Sequence, residues 1–451
     1  MTASPGSSRR QRVDLIVQGG MTLAMDAERR VFSDGLVAIR DDRIVAVGDR
    51  RELAARFLPR RIIHARGDAV LPGLINGHTH APMVLFRGIA DDLALHEWLT
   101  QYIFPAEAKN VSREFVLWGT RLACLEMIRG GTTTFADMYY FESAVAEAAA
   151  GAGMRGVLAE TIIDFPSPDS RTPQAGLEYT DRFVKQWRTH PLIIPAVGPH
   201  APYTNSTETL KQVQAFAEAH NVPILMHVAE TRTEVEDISK RYGARPVEYL
   251  ERIGLLSPRL IAAHTVHIND GEIELLRRRQ VGAVHNPQSN MKLASGVAPV
   301  PQMIRADVAL GLGTDGAASN NTLDMFEAMK TAALLHKLST NDPKVVNAHQ
   351  ALEMATINGA RALHRENELG SLEPGKRADL IIVGLGGPHQ VPVYNVYSQL
   401  VYATEASDVK TVIINGRVVM RDQRILTLAQ VTVLAKANEF RAKIIRSLKS
   451  K

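Results

Sequence analysis

Cysteine is almost absent from this chain: Cys124 stands alone among 451 residues. A lone thiol closes no disulfide within the chain, so nothing calls for an oxidising compartment. Cys124 lies in an apolar helical stretch and reads as inert core. Long apolar runs are also missing. No stretch reaches the roughly 18–20 residues that cross a bilayer, so no membrane partner is expected. Net charge is small, since 52 Lys and Arg against 48 Asp and Glu leave +4. The basic clusters are short: Arg9-Arg10, Arg60-Arg61, Arg277 to Arg279, and the tail from Arg441 to Lys451. No aromatic residues interleave with them, so they read as solvated surface and no nucleic-acid partner is expected. The opening from Met1 to Asp14 is polar and basic without the apolar core of a secretory signal, which leaves the cytoplasm as the expected location.

What is present is a globular composition, 45% hydrophobic and 22% charged, with ample material for a core. The first 11 or so residues, rich in Ser, Pro and Arg, read as disordered. Alternating strands then follow at 13–17, 35–39 and 43–48. Similar strands recur near the other end at 378–383 and 411–414, with Asn415-Gly416 as a hairpin turn. The simplest architecture pairs the two ends, residues 12–68 and 371–425, into one small composite β-sandwich, followed by a helical tail over 426–451. Between 69 and 370 short apolar strands alternate with helical stretches. Strand candidates fall at 69–75, 133–137, 155–160, 193–198, 223–229, 260–265, 281–285 and 308–314. Eight such units imply an α/β fold, a (β/α)8 TIM-type barrel, although the pattern alone also admits an open doubly wound sheet.

In a parallel barrel the functional groups gather at the C-terminal ends of the strands. Here those ends carry His78-Thr79-His80, then His200, then His227 with Glu230, then His264, then Asp315. His78 and His80 are two apart in an extended segment and share a face. Taken singly, each has a plain alternative: a core histidine, a helix-start carboxylate at Glu230, an N-cap at Asp315. Taken together, in this order, they supply three imidazoles and one carboxylate for a divalent metal. His264 and Glu230 are left for proton handling. Such a set with an open position suits Zn2+, with Fe2+ as the alternative. It points to a metal-dependent hydrolase, in which the ion lowers the pKa of a water to about 7. His285, in the loop after the seventh strand candidate, stays open between core and site.

The segments Pro72-Gly73-Leu74-Ile75-Asn76-Gly77-His78-Thr79-His80, Gly198-Pro199-His200-Ala201-Pro202-Tyr203, His227-Val228-Ala229-Glu230-Thr231 and Gly313-Thr314-Asp315-Gly316 resemble the amidohydrolase superfamily. Within it, nearly the whole chain is similar to the 5'-methylthioadenosine/S-adenosylhomocysteine deaminase family. The resemblance implies metal ligation by His78, His80, His227 and Asp315. It implies that Glu230 faces N1 of the purine and that His264 stabilises charge at the attacked carbon. Glu107 would hold the ribose hydroxyls, and Arg155 and His200 would contact the sugar and the 5' substituent. On the residues alone, Glu107 reads as a helix-start acid, Arg155 as a surface charge and Trp98 as part of an amphipathic helix. Binuclear relatives carry a lysine at the end of strand four; Gly198-Pro199-His200 has none, which implies one metal. Between Asp164 and Gly176, where relatives carry another substrate-contacting arginine, Arg171 is the one candidate.

The implied activity is hydrolytic deamination of 5'-methylthioadenosine and S-adenosylhomocysteine to inosine products and ammonia. The alternatives are a 5'-deoxyadenosine or adenosine deaminase, a triazine hydrolase on the same scaffold, against which Glu230 argues, and an inactive scaffold barrel. The expected partner is a small-molecule nucleoside. Homo-oligomerisation is left open, with the C-terminal helix free to pack on the barrel or on a partner subunit.

Overall fold

The computed structural model describes residues 10–449. Residues 1–9 of the leading tract and the last two of the tail lie outside the described residues. Gln11 already begins a strand, Gln11–Gln18, so the expected disordered tract does not extend to it.

Eight parallel strands form the central sheet, adjacent in chain order. They are β1 (Leu74–Thr79), β2 (Thr132–Tyr139), β3 (Arg155–Ile162), β4 (Ile193–Pro199), β5 (Ile224–Val228), β6 (Leu260–His264), β7 (Gly282–His285) and β8 (Ala309–Leu312). Nearly all of their residues are buried, as expected where helices cover the outside and side chains fill the inside. Ile75, Ala136, Val157, Ala196, Leu225 and Ile261 belong to the inner cluster. Beyond the strand ends β8 is tied back to β1. Asp315 N donates to His78 O at 2.9 Å. Asn76 Nδ2 donates to Thr314 Oγ1 at 2.7 Å, and Thr314 N returns to Asn76 Oδ1 at 3.0 Å. The alternation of strands and helices thus closes into a barrel.

The first expected strand, 69–75, is two strands. Asp68–Pro72 pairs antiparallel with Leu380–Gly384 in a different sheet, and β1 starts only at Leu74. Gly73 makes the crossing, and a Cβ there would lie 2.1 Å from Thr133 Oγ1. The apolar run continues through the change of sheet because both strands are buried, which hides the break from a periodicity reading.

Two further sheets stand apart from the barrel. One has four strands, all N-terminal: Arg43–Asp49, Gly35–Arg40, Gln11–Gln18 and Phe57–His64. The other joins both ends of the chain. It sets Met21–Leu23, Val31–Phe32 and Asp68–Pro72 beside Leu380–Gly384, Val409–Ile414, Arg417–Arg421 and Arg424–Ile425. Leu15, Val37, Ile39, Val70, Leu380 and Ile413 share one core. Asn415 and Gly416 adopt φ of 52° and 75° at the hairpin between two C-terminal strands, the left-handed pair that a two-residue turn demands.

The tail forms the helix Gln430–Lys449. Phe440 meets Phe115 of the helix Arg113–Arg129 edge-on, 5.7 Å between ring centres. The helix therefore packs on its own barrel. Among the described residues no helix is long and apolar enough to cross a membrane.

Candidate active site

The imidazoles converge at the C-terminal mouth of the barrel because each ends a strand or follows one closely. His80 Nε2 and His227 Nε2 lie 3.2 Å apart. His78 Nε2 and His80 Nε2 lie 3.5 and 3.3 Å from Asp315 Oδ1. Two overlapping ligand groups result, His78–His227–His264 and His78–His80–Asp315. His264 stands between the carboxylates, with Nδ1 3.8 Å from Glu230 Oε1 and Nε2 4.0 Å from Asp315 Oδ2.

Tautomers decide what this cluster can hold. His80 Nδ1 contacts Met138 O at 2.6 Å, and His227 Nδ1 contacts His200 O at 2.7 Å. A carbonyl oxygen only accepts, so both Nδ1 atoms carry the proton and, in neutral rings, both Nε2 atoms present lone pairs. Two lone pairs then face each other at hydrogen-bond distance with no proton between them. His78 Nε2 is buried with no hydrogen-bond partner. Burial pushes His78 down to about 4, and burial with the neighbouring imidazoles holds His227 well below its usual range. Neutral rings aiming Nε2 at one point beside a carboxylate fit a divalent cation. Burial would raise Asp315. The neighbouring imidazoles of His78, His80 and His264 outweigh it and hold the carboxyl well below its ordinary value.

Residues that the sequence did not single out orient this set. Asp137 Oδ1, on β2, accepts from Thr79 Oγ1 at 2.6 Å and Ala81 N at 2.5 Å, pinning both flanks of His80. Ser289 and Ser319 donate to Asp315 Oδ2 at 2.6 and 3.0 Å. Asn290 Oδ1 meets His264 Nδ1 at 2.8 Å. Glu234 accepts from the backbone N–H groups of Ala229 and Glu230, each at 2.8 Å. Ser289 and Asn290 stand in the Asn-Pro-Gln-Ser-Asn run after β7, where polar residues at a strand end were the available signal. His264 and Asp315 adopt φ of 73° and 63°. Non-glycine residues in this region carry strain that surrounding contacts must hold.

Glu230 is buried, and burial raises its carboxyl above the ordinary value against the opposing influence of His264. His264 shows the complement. Burial would lower it, but Glu230 and Asp315 prevail and raise it. The imidazole is thus held toward its charged form and the glutamate toward its neutral one.

A cavity opens above the cluster. Trp98, expected on an amphipathic helix, lines it together with Leu99 and Ile103 from the π-helical turn Trp98–Ile103. Glu107 also lines it, buried and accepting from Tyr139 Oη at 2.7 Å. Burial raises that carboxyl to about 7 while the tyrosine hydrogen bond pulls it down. His200 is on the wall too, its ring pushed down to about 3 by burial. Tyr139 is a polar contributor that the sequence reading missed.

Arg155 does not join this group. It begins β3, and a strand of eight residues puts its start roughly 20 Å from the mouth at about 3.3 Å per residue. Its guanidinium binds Asp379 through Nε at 3.0 Å and Nη2 at 3.2 Å, and also Pro191 O and Asn415 Oδ1. The expected sugar contact is therefore a buried ion pair linking the floor of the barrel to the C-terminal strands. His285 meets His336 at 3.1 Å between Nε2 atoms and is a core histidine away from the cavity.

The chain is similar to known proteins. A model described as the amidohydrolase family matches residues 69–419. A 5-methylthioadenosine/S-adenosylhomocysteine deaminase of Syntrophobacter fumaroxidans is 53% identical over 423 residues, covering 94% of this chain and 96% of its own. A 5'-deoxyadenosine deaminase of Methanosarcina acetivorans is 45% identical over 426 residues, covering 94% and 96%. Among solved structures, an adenosine deaminase from Xanthomonas campestris with bound zinc superposes with a TM-score of 0.95 at 39% identity, covering 97% of this chain and all of the other.

Proposed function

The chain belongs to the amidohydrolase family, and from that premise we propose that it deaminates adenosine-type nucleosides hydrolytically at adenine C6. The named relatives support the 5'-methylthioadenosine and S-adenosylhomocysteine class. A 5'-deoxyadenosine deaminase among them favours 5'-deoxyadenosine as the second reading. The single observation that carries the proposal is His264 held between Glu230 and Asp315, beside the imidazoles and below the cavity.

His78, His80, His227 and Asp315 would hold one divalent ion, with zinc first because the similar adenosine deaminase contains it. When bound, the ion supplies activation of water as a nucleophile at neutral pH. Every other step falls to side chains. An adenine amino group leaves poorly from an intact aromatic ring. Glu230, raised by burial, delivers a proton to N1, which makes C6 electrophilic. His264 stabilises charge at C6 as the tetrahedral centre forms, a contribution of roughly 2.7–4 kcal/mol per donor at such sites. Asp315 accepts one proton of the water and passes it to the departing ammonia, and the second, lost from the C6 hydroxyl as the carbonyl forms, returns to Glu230. Glu107 accepts hydrogen bonds from the ribose hydroxyls, and His200 contacts the sugar.

The test is conversion of an adenine to a hypoxanthine chromophore by zinc-loaded protein, with 5'-methylthioadenosine, S-adenosylhomocysteine, 5'-deoxyadenosine and adenosine in parallel. Turnover of at least one is expected. Silence on all four with metal bound would overturn the proposal.

A further inference from the structure

Two acids take no part in the chemistry above. Glu142 opens the helix Glu142–Ala152, and Glu160 lies on β3 beside Tyr139 of β2. Both are fully buried, as is Asp137. Glu142 Oε1 accepts from Tyr139 N at 2.9 Å, and Glu160 Oε2 accepts from Glu142 N at 2.9 Å. Asp169, half-buried on the segment after β3, accepts from Phe141 N through Oδ2 at 2.6 Å and from Ser167 Oγ through Oδ1 at 3.1 Å. The remaining oxygens, Glu142 Oε2, Glu160 Oε1 and Asp137 Oδ2, are buried and receive no donor from a neighbouring N–H or hydroxyl. Yet the carboxyl of Glu142 is hydrogen-bonded to that of Asp137, and the carboxyl of Glu160 to that of Asp169.

Two carboxyl groups meet in this way only when one of them holds a proton. Asp169 takes a donor on each oxygen and Asp137 takes two on Oδ1, whereas each glutamate takes one. The proton therefore belongs on the glutamate in both pairs. Burial, reinforced by Asp137, holds Glu142 well above the ordinary carboxyl range, and burial with Asp169 does the same for Glu160.

The backbone N–H groups received by these acids belong to the turn after β2, where Phe141 stands at φ of 53°, a strained value for an aromatic residue. That turn carries Tyr139, which donates to Glu107 at 2.7 Å, and Tyr140, on the cavity wall. At the other end of the row, Asp137 Oδ1 holds Thr79 and Ala81 on either side of His80. Buried acids carry a desolvation cost that an apolar filling would not. What they add is a fixed placement of polar groups on both flanks.

We propose that Glu142 and Glu160 are positioning residues, neutral acids that accept from the turn's backbone and donate to a neighbouring carboxylate, so that one hydrogen-bonded row sets both the Tyr139–Glu107 pair and the flanks of His80. The part that concerns Glu107 rests on the deaminase reading; the part that concerns His80 does not depend on the substrate.

The test uses the full chain with Glu142→Gln, Glu160→Gln and Glu142→Met. Glutamine keeps an acceptor for the N–H and a donor for the carboxylate, while methionine fills the space and keeps neither. In infrared difference spectra against wild type at neutral pH, each glutamine variant should lose one carbonyl band of a protonated carboxyl. Loss of carboxylate bands alone would overturn the proposal. Competition with a metal-binding dye should put the zinc affinity of Glu142→Met about 10–100-fold below wild type, with Glu142→Gln near wild type. In zinc-loaded protein, KM for 5'-methylthioadenosine should rise in Glu142→Met more than kcat falls, and Glu142→Gln should restore it. A glutamine variant as impaired as the methionine variant would overturn the proposal. So would a methionine variant that loses Tm alone, with zinc affinity and KM unchanged. If Glu142→Met does not fold, the infrared bands and the zinc affinity of Glu142→Gln decide. Absence of turnover in wild type would overturn the deaminase reading, while the infrared and zinc results would still decide this one.

Discussion

His80 and His227 face each other through Nε2 at 3.2 Å while each gives its Nδ1 proton to a backbone carbonyl. That pairing is repulsive without a cation. The protein should therefore purify with about one divalent ion per chain, as a mononuclear three-histidine site takes. Chelation should lower Tm and abolish activity, and added zinc should restore both. Ligand linkage gives about 4 kcal/mol of stabilisation at a thousandfold excess over Kd. A chelated protein with unchanged Tm would contradict the assignment.

Asp137 touches no proposed ligand side chain, yet it holds Thr79 Oγ1 and Ala81 N on either side of His80. Asp137→Ala should weaken zinc binding by about 10–100-fold, the usual cost of losing an outer partner. Thr79→Val, which removes one of the two bonds, should fall between it and wild type. Competition with a metal-binding dye measures both.

Glu107 has a folded-state pKa raised to about 7 from 4.5. Its contribution to stability is full below 4.5 and is lost as pH rises through about 7. Ribose hydroxyls need the ionised carboxylate, so KM should fall as pH rises through the same window. Tyr139→Phe removes the donor that pulls the carboxyl down and should move that inflection to higher pH. Glu107→Gln should abolish the inflection. A KM profile unaffected by both would contradict the role of Glu107.

Arg155 and Asp379 are each about 5% exposed at their side chains. Removing one partner of such a pair costs about 3–5 kcal/mol. Arg155→Met should therefore lower Tm clearly and leave KM near wild type at temperatures where the variant is folded. A KM defect without loss of stability would restore a substrate role.

Arg155 also marks the limit of what the sequence made legible. The imidazoles were readable because each follows an apolar strand directly, so position along the chain reports position at the mouth. Arg155 lies on one of those strands but at its start, and a motif does not tell which end of a strand faces the substrate. Trp98 failed differently. Helical spacing shows that it is buried, not whether a cavity or a core receives it. Asp137, Ser289 and Asn290 act through partners 26 to 58 positions away, and no local pattern records such pairings. The barrel itself was legible from alternation, except at Gly73, where one apolar run serves two sheets.

The most direct test of the account follows absorbance as adenine becomes hypoxanthine, in zinc-loaded wild type and Glu230→Gln side by side. Wild type should release one ammonia per nucleoside converted. The variant should retain metal and fold and lose about 10²–10⁴ in kcat, the scale of general acid–base help. Near-wild-type turnover in the variant, with metal content equal, would contradict proton delivery to N1 by Glu230.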